Sequence, residues 1–154
     1  HPIPRRQRQM CIRDRGEAGS RSGSNGDLYL FINVYAHDLF KRSDENLFFE
    51  CPVSIADAAL GTSIEIPTID GGKAKIKIPA GTQSGKQFRL KGKGMPYMRG
   101  GGDGDLYVQV NTEVPISLNR EQKELLEKFR EIENEKSNPS IKKFFQKAKN
   151  FWKN

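Results

Sequence analysis

A four-residue motif that occurs twice, Gly-Asp-Leu-Tyr, constrains the fold of this chain more than any other feature. The two copies begin at Gly26 and Gly104. In each copy the glycine permits a turn that a β-carbon would obstruct, and the aspartate precedes a strand, where it can accept loop N–H groups. Alternating apolar residues follow both copies, at 28–32 and 106–110, and this period of two is typical of a strand with one buried face. The motif therefore indicates a duplicated β-unit, although several of the residues that match at this offset are glycines, so loop composition could account for part of the likeness.

The pattern between and after the two copies predicts a mostly β chain that ends in helices. Strands are predicted at 47–53, 62–69, 73–78, 87–90 and 105–110, with a polar connector at 41–46. Ser54 is the expected N-cap of a short helix that ends at Gly61. From Asn119 the apolar period becomes helical. We therefore expect a mostly β fold followed by C-terminal amphipathic helices.

Composition and charge exclude several classes of protein. No apolar run is long enough to suggest a membrane span, and the N-terminal segment carries arginines without an apolar signal-peptide core. The net charge is +7, but five arginines and one aspartate lie within 1–15, and the rest of the chain carries only +3. The two cysteines, Cys11 and Cys51, supply neither a disulfide framework nor a zinc site, which favours free thiols in a reducing cytoplasm.

Four long stretches resemble the C-terminal region of DnaJ-type J-domain co-chaperones, in the order of that family. They are GEAGSRSGSNGDLYLFINV, CPVSIADAALGTSIEIPTIDG, KIKIPAGTQSGKQFRLKGKGMP and GGDGDLYVQVNTEVPISLN, and the resemblance as a whole runs from about Gly16 to Ile132. The resemblance implies tandem small β-sandwich domains, the first of them truncated in this chain, that hold unfolded clients and are followed by a dimerisation segment with C-terminal amphipathic helices. It also implies a non-enzymatic, cytoplasmic protein that assists folding with a partner heat-shock ATPase.

The resemblance divides the chain into four parts. Residues 16–40 are expected to be the remnant of the first C-terminal β domain, 41–116 the complete second one, and 117–154 the helical dimerisation segment with a basic tail. Residues 1–15 do not match 79–93, their expected counterpart at the offset of the two motif copies, so they are predicted to be a foreign or disordered segment. The His-Pro-Asp signature of a J domain and the family's cysteine-rich zinc repeats do not occur, so we expect neither ATPase stimulation nor a zinc cofactor from this chain.

Two candidate sites follow from the resemblance. Phe48 lies on the strand face opposite Leu47 and Phe49 and is the candidate client-binding residue, although it could instead pack under the connector at 36–46. The dimerisation stripe is expected at Leu125, Leu126, Phe129 and Ile132, which could instead cover the end of the sandwich. The basic aromatic tail at 139–153 could contact acidic membranes or nucleic acid, or could dock on its own domain.

The expected partners are unfolded polypeptides, a second copy of the chain and, in the full-length protein, the heat-shock ATPase. The alternative class is a basic β-module that binds nucleic acid, which the charge distribution makes the weaker interpretation; no membrane partner is expected. A thiol hydrolase built on Cys51, His37 and Asp38 is rejected, because the sequence places no base at hydrogen-bonding spacing from the thiol.

Overall fold

The structure is a computed structural model that describes residues 6–12 and 26–153. The contacts between residues divide the chain into two compact units, with the boundary after Glu113. The strands are β1 (Arg6–Ile12), β2 (Leu28–Val34), β3 (Lys41–Ser43), β4 (Asn46–Ser54), β5 (Thr62–Pro67), β6 (Lys73–Ile78), β7 (Lys86–Leu90) and β8 (Leu106–Glu113). The helices are α1 (Ile55–Leu60), α2 (Arg120–Ile132) and α3 (Pro139–Trp152). The described part of the chain therefore has more strand than helix in its first unit and only helices in its second, as predicted.

A four-stranded sheet with the order β3-β4-β8-β7 forms the centre of the first unit. Strands β4 and β8 run parallel, and β3 and β7 pair antiparallel to them at the two edges. The inner face buries Leu47, Phe49, Leu106, Val108 and Val110, the last three with no exposed surface. The alternation of apolar residues in the sequence thus predicted the inner face, whereas the short strand β3 occupies a segment that was predicted to be a connector.

The hairpin of β5 and β6 supplies the second layer of the core. Its inward residues Ile66, Ile76 and Ile78 belong to the same buried cluster as the inner face of the four-stranded sheet, while the three lysines of β6 are exposed. Gly71 closes the hairpin with a φ of 84°, which an L-residue rarely adopts, and Asp70 accepts the backbone N–H of Gly72 at 3.0 Å. Two layers of sheet around one apolar core make this unit a β-sandwich.

Helix α1 connects the two layers and has the caps that the sequence predicts. The Ser54 hydroxyl accepts the backbone N–H of Asp57, and the helix ends at Gly61, whose φ is 82°. An added β-carbon at Gly61 would lie 2.9 Å from the backbone nitrogen of Ala80. The glycine is therefore required both by its conformation and by the close approach of a neighbouring loop.

Strands β1 and β2 repeat the pairing of β7 and β8 in the same register. Ile12 pairs with Leu28 as Leu90 pairs with Leu106, at the offset that separates the two motif copies. This common register supports the duplication at the level of structure. It also corrects one expectation, because residues 6–12 form a strand at the position of β7, although their sequence shows no strand period and does not resemble it. The origin of residues 1–15 as a foreign segment stays a prediction.

The second unit contains the two amphipathic helices α2 and α3. Asn119 and Gln122 form the predicted capping box: the Asn119 side chain accepts the N–H of Gln122 at 2.8 Å, and the Gln122 side chain accepts the N–H of Asn119 at 3.0 Å. Helix α3 begins with Pro139 at its first turn, where the missing N–H has no cost. Neither helix contains a buried residue.

Candidate functional site

Two aromatic side chains stack on the outer face of the four-stranded sheet. Because Leu47 and Phe49 point into the core, Phe48 between them points outward. The parallel register places Phe48 beside Tyr107 of β8, and their rings stack with centroids 5.0 Å apart and planes 11° from parallel. Both side chains are half-buried. We call this pair, Phe48 and Tyr107, the aromatic shelf.

A basic residue lies at each end of the aromatic shelf. Lys41 of β3 pairs with Phe48, and Arg89 of β7 pairs with Tyr107, so the order across the four strands is Lys41, Phe48, Tyr107, Arg89. Partners in register project from the same face of a sheet. Lys41 and Arg89 are both exposed. The outer face therefore presents a flat aromatic surface between two cations.

Asp105 of the second Gly-Asp-Leu-Tyr copy fixes the position of Arg89. The Arg89 guanidinium contacts the Asp105 carboxylate at 2.6 Å, and the backbone N–H of Gly92 donates to the same carboxylate at 2.9 Å. The Gly92 N–H and then the guanidinium hold the pKa of Asp105 below its usual value, and the carboxylate in turn raises the pKa of Arg89. Arg89 therefore remains charged, and its charge is paired with that of Asp105.

The backbone around Asp105 is held by contacts that only glycine permits. The Asp105 N–H donates to the Asn46 side chain at 2.9 Å, which connects the start of β8 to the start of β4. A β-carbon added to Gly104 would lie 2.1 Å from the carbonyl oxygen of Glu45, and one added to Gly94 would lie 2.5 Å from it. These contacts set the parallel register of β4 and β8 and so place Phe48 beside Tyr107.

An open strand edge lies next to the aromatic shelf. Strand β3 pairs only with Asn46–Phe48 of β4. In the described part of the chain, the rest of β4 has no strand on that side. An extended peptide can add to such an edge through its backbone, while side chains on one face reach a neighbouring surface.

Phe48, the candidate predicted from the sequence, lies at the centre of this surface. Phe48 pairs with Lys41 of β3, which lies within the segment 36–46, and its ring stacks on that of Tyr107. Sequence reasoning missed Tyr107, Lys41 and Arg89 as its neighbours. The outward position of Tyr107 could have been predicted from the apolar residues on either side of it, but the parallel pairing with β4 could not, because it joins segments that are far apart in the chain.

The four residues predicted for dimerisation lie on α2 and are exposed. The exposed fractions of Leu125, Leu126, Phe129 and Ile132 are 59%, 36%, 53% and 74%. A groove of about 290 Å³ beside the stripe is lined by Leu118, Lys123, Leu126, Glu127 and Arg130. The stripe is thus a largely exposed apolar surface, and its role stays a prediction.

The residues of the rejected thiol hydrolase do not form a catalytic site. Cys51 is half-buried in β4, and this burial raises the pKa of its thiol, which disfavours the reactive thiolate. His37 uses its Nδ1 atom to accept the backbone N–H groups of Leu39 and Phe40 at 3.1 and 3.2 Å. Among residues 6–12 and 26–153, no group of three acidic, histidine or cysteine side chains is arranged to hold a metal ion. Within the same residues, no helix has the length and apolarity needed to span a membrane.

A β-sandwich unit followed by amphipathic helices is the architecture of a family that comparison with known proteins identifies. The model of the family described as DnaJ C terminal domain matches residues 4–115, and that described as Chaperone protein DnaJ C-terminal region matches residues 121–154. The chain therefore belongs to the DnaJ C-terminal domain family, as the sequence resemblance predicted. The first match begins at residue 4, inside the segment that was predicted to be foreign.

The similar curated proteins are bacterial chaperones. The chain is 87% identical over 146 residues to the chaperone protein DnaJ of Pelagibacter ubique (strain HTCC1062), which covers 95% of this chain and 39% of that protein. It is 53% identical over 144 residues to the chaperone protein DnaJ of Ruegeria sp. (strain TM1040), covering 94% of this chain and 37% of that protein. The chain thus spans less than two fifths of the length of the curated relatives that it matches.

Proposed function

We propose that this chain binds unfolded polypeptide segments on the aromatic shelf and dimerises through the stripe on α2. In the full-length protein these two activities assist folding together with the partner heat-shock ATPase. The family match supports a chaperone of the DnaJ type. The observation that carries the client-binding proposal is the stacked, half-buried pair of Phe48 and Tyr107 on a sheet face that lies next to an open strand edge.

The aromatic shelf suits a client without a fixed sequence. Stacked rings provide a flat apolar surface that accepts many side chains, and backbone pairing at the edge of β4 requires no particular residue. Such a site gains most of its affinity from apolar surface removed from water, so each contact is weak and reversible. Weak, reversible binding is what a chaperone that holds and releases clients needs.

The stripe on α2 suits pairing with a second copy. Three of its four side chains are more than half exposed, and an isologous contact would bury all four against the same residues of the partner. Two shelves in one dimer would raise the effective concentration of the second site once a client occupies the first. The dimer therefore compensates for the weak affinity of a single shelf.

The client-binding proposal is tested by suppression of aggregation of a chemically denatured reporter protein. We expect Phe48→Ala combined with Tyr107→Ala to abolish most of the suppression while the far-UV circular dichroism spectrum is retained. The matched control is Leu60→Ala, which truncates an apolar side chain that is 81% exposed on α1, away from the shelf. Equal suppression by the double variant and the parent would contradict the proposal, and salt-sensitive retention of RNA by the parent would favour the nucleic-acid alternative.

The dimerisation proposal is tested by light scattering at micromolar concentrations. We expect the parent to have twice the mass of one chain and Phe129→Ser with Ile132→Ser to have the mass of one chain, because two apolar contacts are lost from the seam. The control is Ile116→Ser, a fully exposed apolar residue of the same unit outside the stripe. A parent that remains monomeric, or a double variant that remains dimeric, would remove α2 as the seam.

A further inference from the structure

The outer face of the four-stranded sheet carries a basic residue at each end of the aromatic shelf, but only one of the two is paired with an acidic residue. Lys41, Phe48, Tyr107 and Arg89 form one row across four neighbouring strands. With strands about 4.8 Å apart, the row is about 14 Å long between its two basic ends. The two ends differ in whether an acidic side chain of the same domain pairs with the basic residue.

Arg89 forms an ion pair with an acidic residue of the same domain. Its guanidinium contacts Asp105, whose side chain is only 13% exposed, at 2.6 Å, while Lys41 is exposed and no ion pair involves it in the described part of the chain. The neighbouring row contains Glu50, whose carboxylate accepts a hydrogen bond from Asn111 at 3.2 Å. The available positive charge of this face is therefore concentrated at the Lys41 end of the row.

The spacing of the row matches that of an extended peptide. The centre of the aromatic shelf lies about one and a half strand spacings from Lys41, or about 7 Å. In an extended chain, side chains at positions i and i+2 project to the same face and are also about 7 Å apart. A peptide that crosses the strands with one side chain on the shelf thus carries the side chain two positions away to Lys41. Such a peptide lies across the outer face and uses the side chains of the row, whereas backbone pairing uses the edge of β4.

We infer that the aromatic shelf prefers client segments in which a large apolar residue stands two positions from an aspartate or glutamate. The inference rests on the proposed function, since it assigns a substrate class to the same surface. Charge complementarity at Lys41 selects the carboxylate, and the rings of Phe48 and Tyr107 accept the apolar side chain. A lysine or arginine at the same position of the client is disfavoured because it would face Lys41.

Fluorescence anisotropy with the whole chain and three labelled peptides tests this preference. The peptides carry one central phenylalanine and differ only at the positions two residues before and after it, which hold glutamate, glutamine or lysine, so that either chain direction is served. We expect the order of affinity to be glutamate, glutamine, lysine. Because exposed ion pairs contribute little, the first step of this order should be about threefold to fivefold, and added salt should remove it.

Four variants separate the inference from the proposed function. Lys41→Glu should reverse the order of affinity of the three peptides. Lys77 lies on the exposed face of β6, so Lys77→Glu should leave that order unchanged. Phe48→Ala should weaken all three peptides, and Phe48→Leu, which keeps an apolar surface, should retain the order. An unchanged order in Lys41→Glu, with weaker binding in Phe48→Ala, would overturn the inference and leave the proposed function standing. Unchanged binding of every peptide in Phe48→Ala would overturn both.

Discussion

The two copies of Gly-Asp-Leu-Tyr lead into strands with the same register but very different surroundings. In the second copy Leu106 and Val108 have no exposed surface, whereas in the first copy Leu28 and Leu30 are 37% and 38% exposed. Strand β8 lies between β4 and β7, while β2 has β1 as its one strand partner among the residues described. The motif thus defines the turn and the start of a strand, but burial depends on the strands and the second layer around it. A hairpin of two strands cannot bury a face by itself, which is the difference between the two copies.

The largest expected effect of this difference concerns the leucine of each motif. Leu106→Ala should lower the free energy of unfolding by about 3 kcal/mol, because it removes a completely buried side chain and leaves a cavity in the core. Leu28→Ala should lower it by less than about 1 kcal/mol, since the leucine is already in contact with water. Urea denaturation followed by circular dichroism measures both. Equal losses for the two variants would show that the two leucines are equally covered in solution.

The glycine of each motif gives the next largest effect. A β-carbon at Gly104 would lie 2.1 Å from the Glu45 carbonyl oxygen, whereas one at Gly26 would have no heavy atom within 4 Å. Gly104→Ala should therefore cost about 2 kcal/mol, as forced backbone displacement does, and Gly26→Ala should be close to neutral. The same urea experiment checks the pair. If Gly104→Ala leaves the free energy of unfolding unchanged, the close contact between Gly104 and Glu45 is not needed to hold β4 and β8 in register.

The sequence predicted the elements that local rules determine. The alternation in β4 and β6, the Ser54 cap of α1 and the capping box at Asn119 were all confirmed, because each depends on residues close together in the chain. The exposed stripe of α2 likewise follows from its period. These elements need no information about distant partners.

What the sequence did not predict depends on pairing between distant segments. Strand β1 has no apolar alternation, and its pairing with β2 defines it as a strand. The stack of Phe48 on Tyr107 needs the parallel register of β4 and β8, which is set by the approach of Gly104 to Glu45 and by the bond from Asp105 to Asn46. Phe48 could be predicted as a candidate from its position on the outer strand face alone. Its neighbours in the row across the sheet could not be predicted, because they lie on other strands.

The smallest expected effect concerns the aspartate of the second copy and its dependence on pH. The N–H of Gly92 and the guanidinium of Arg89 hold the pKa of Asp105 below that of the unfolded chain, which is about 3.9. A lowered pKa in the folded state means that the stabilisation is complete above the unfolded value and is lost as the pH falls through the folded value. Asp105→Asn should therefore be less stable than the parent at neutral pH, and the two should converge in acid.

Urea midpoints measured from neutral pH to below the pKa of a free carboxyl check this convergence. Arg89→Gln removes one of the groups that lower the pKa of Asp105, so its stability at neutral pH should lie between those of the parent and of Asp105→Asn, and its difference from the parent should also shrink in acid. Asp27→Asn is the matched change in the first copy, and it should cost less at neutral pH because β2, which it precedes, is exposed along its apolar residues. If Asp105→Asn stays as far below the parent in acid as at neutral pH, the loss comes from packing and not from the charge.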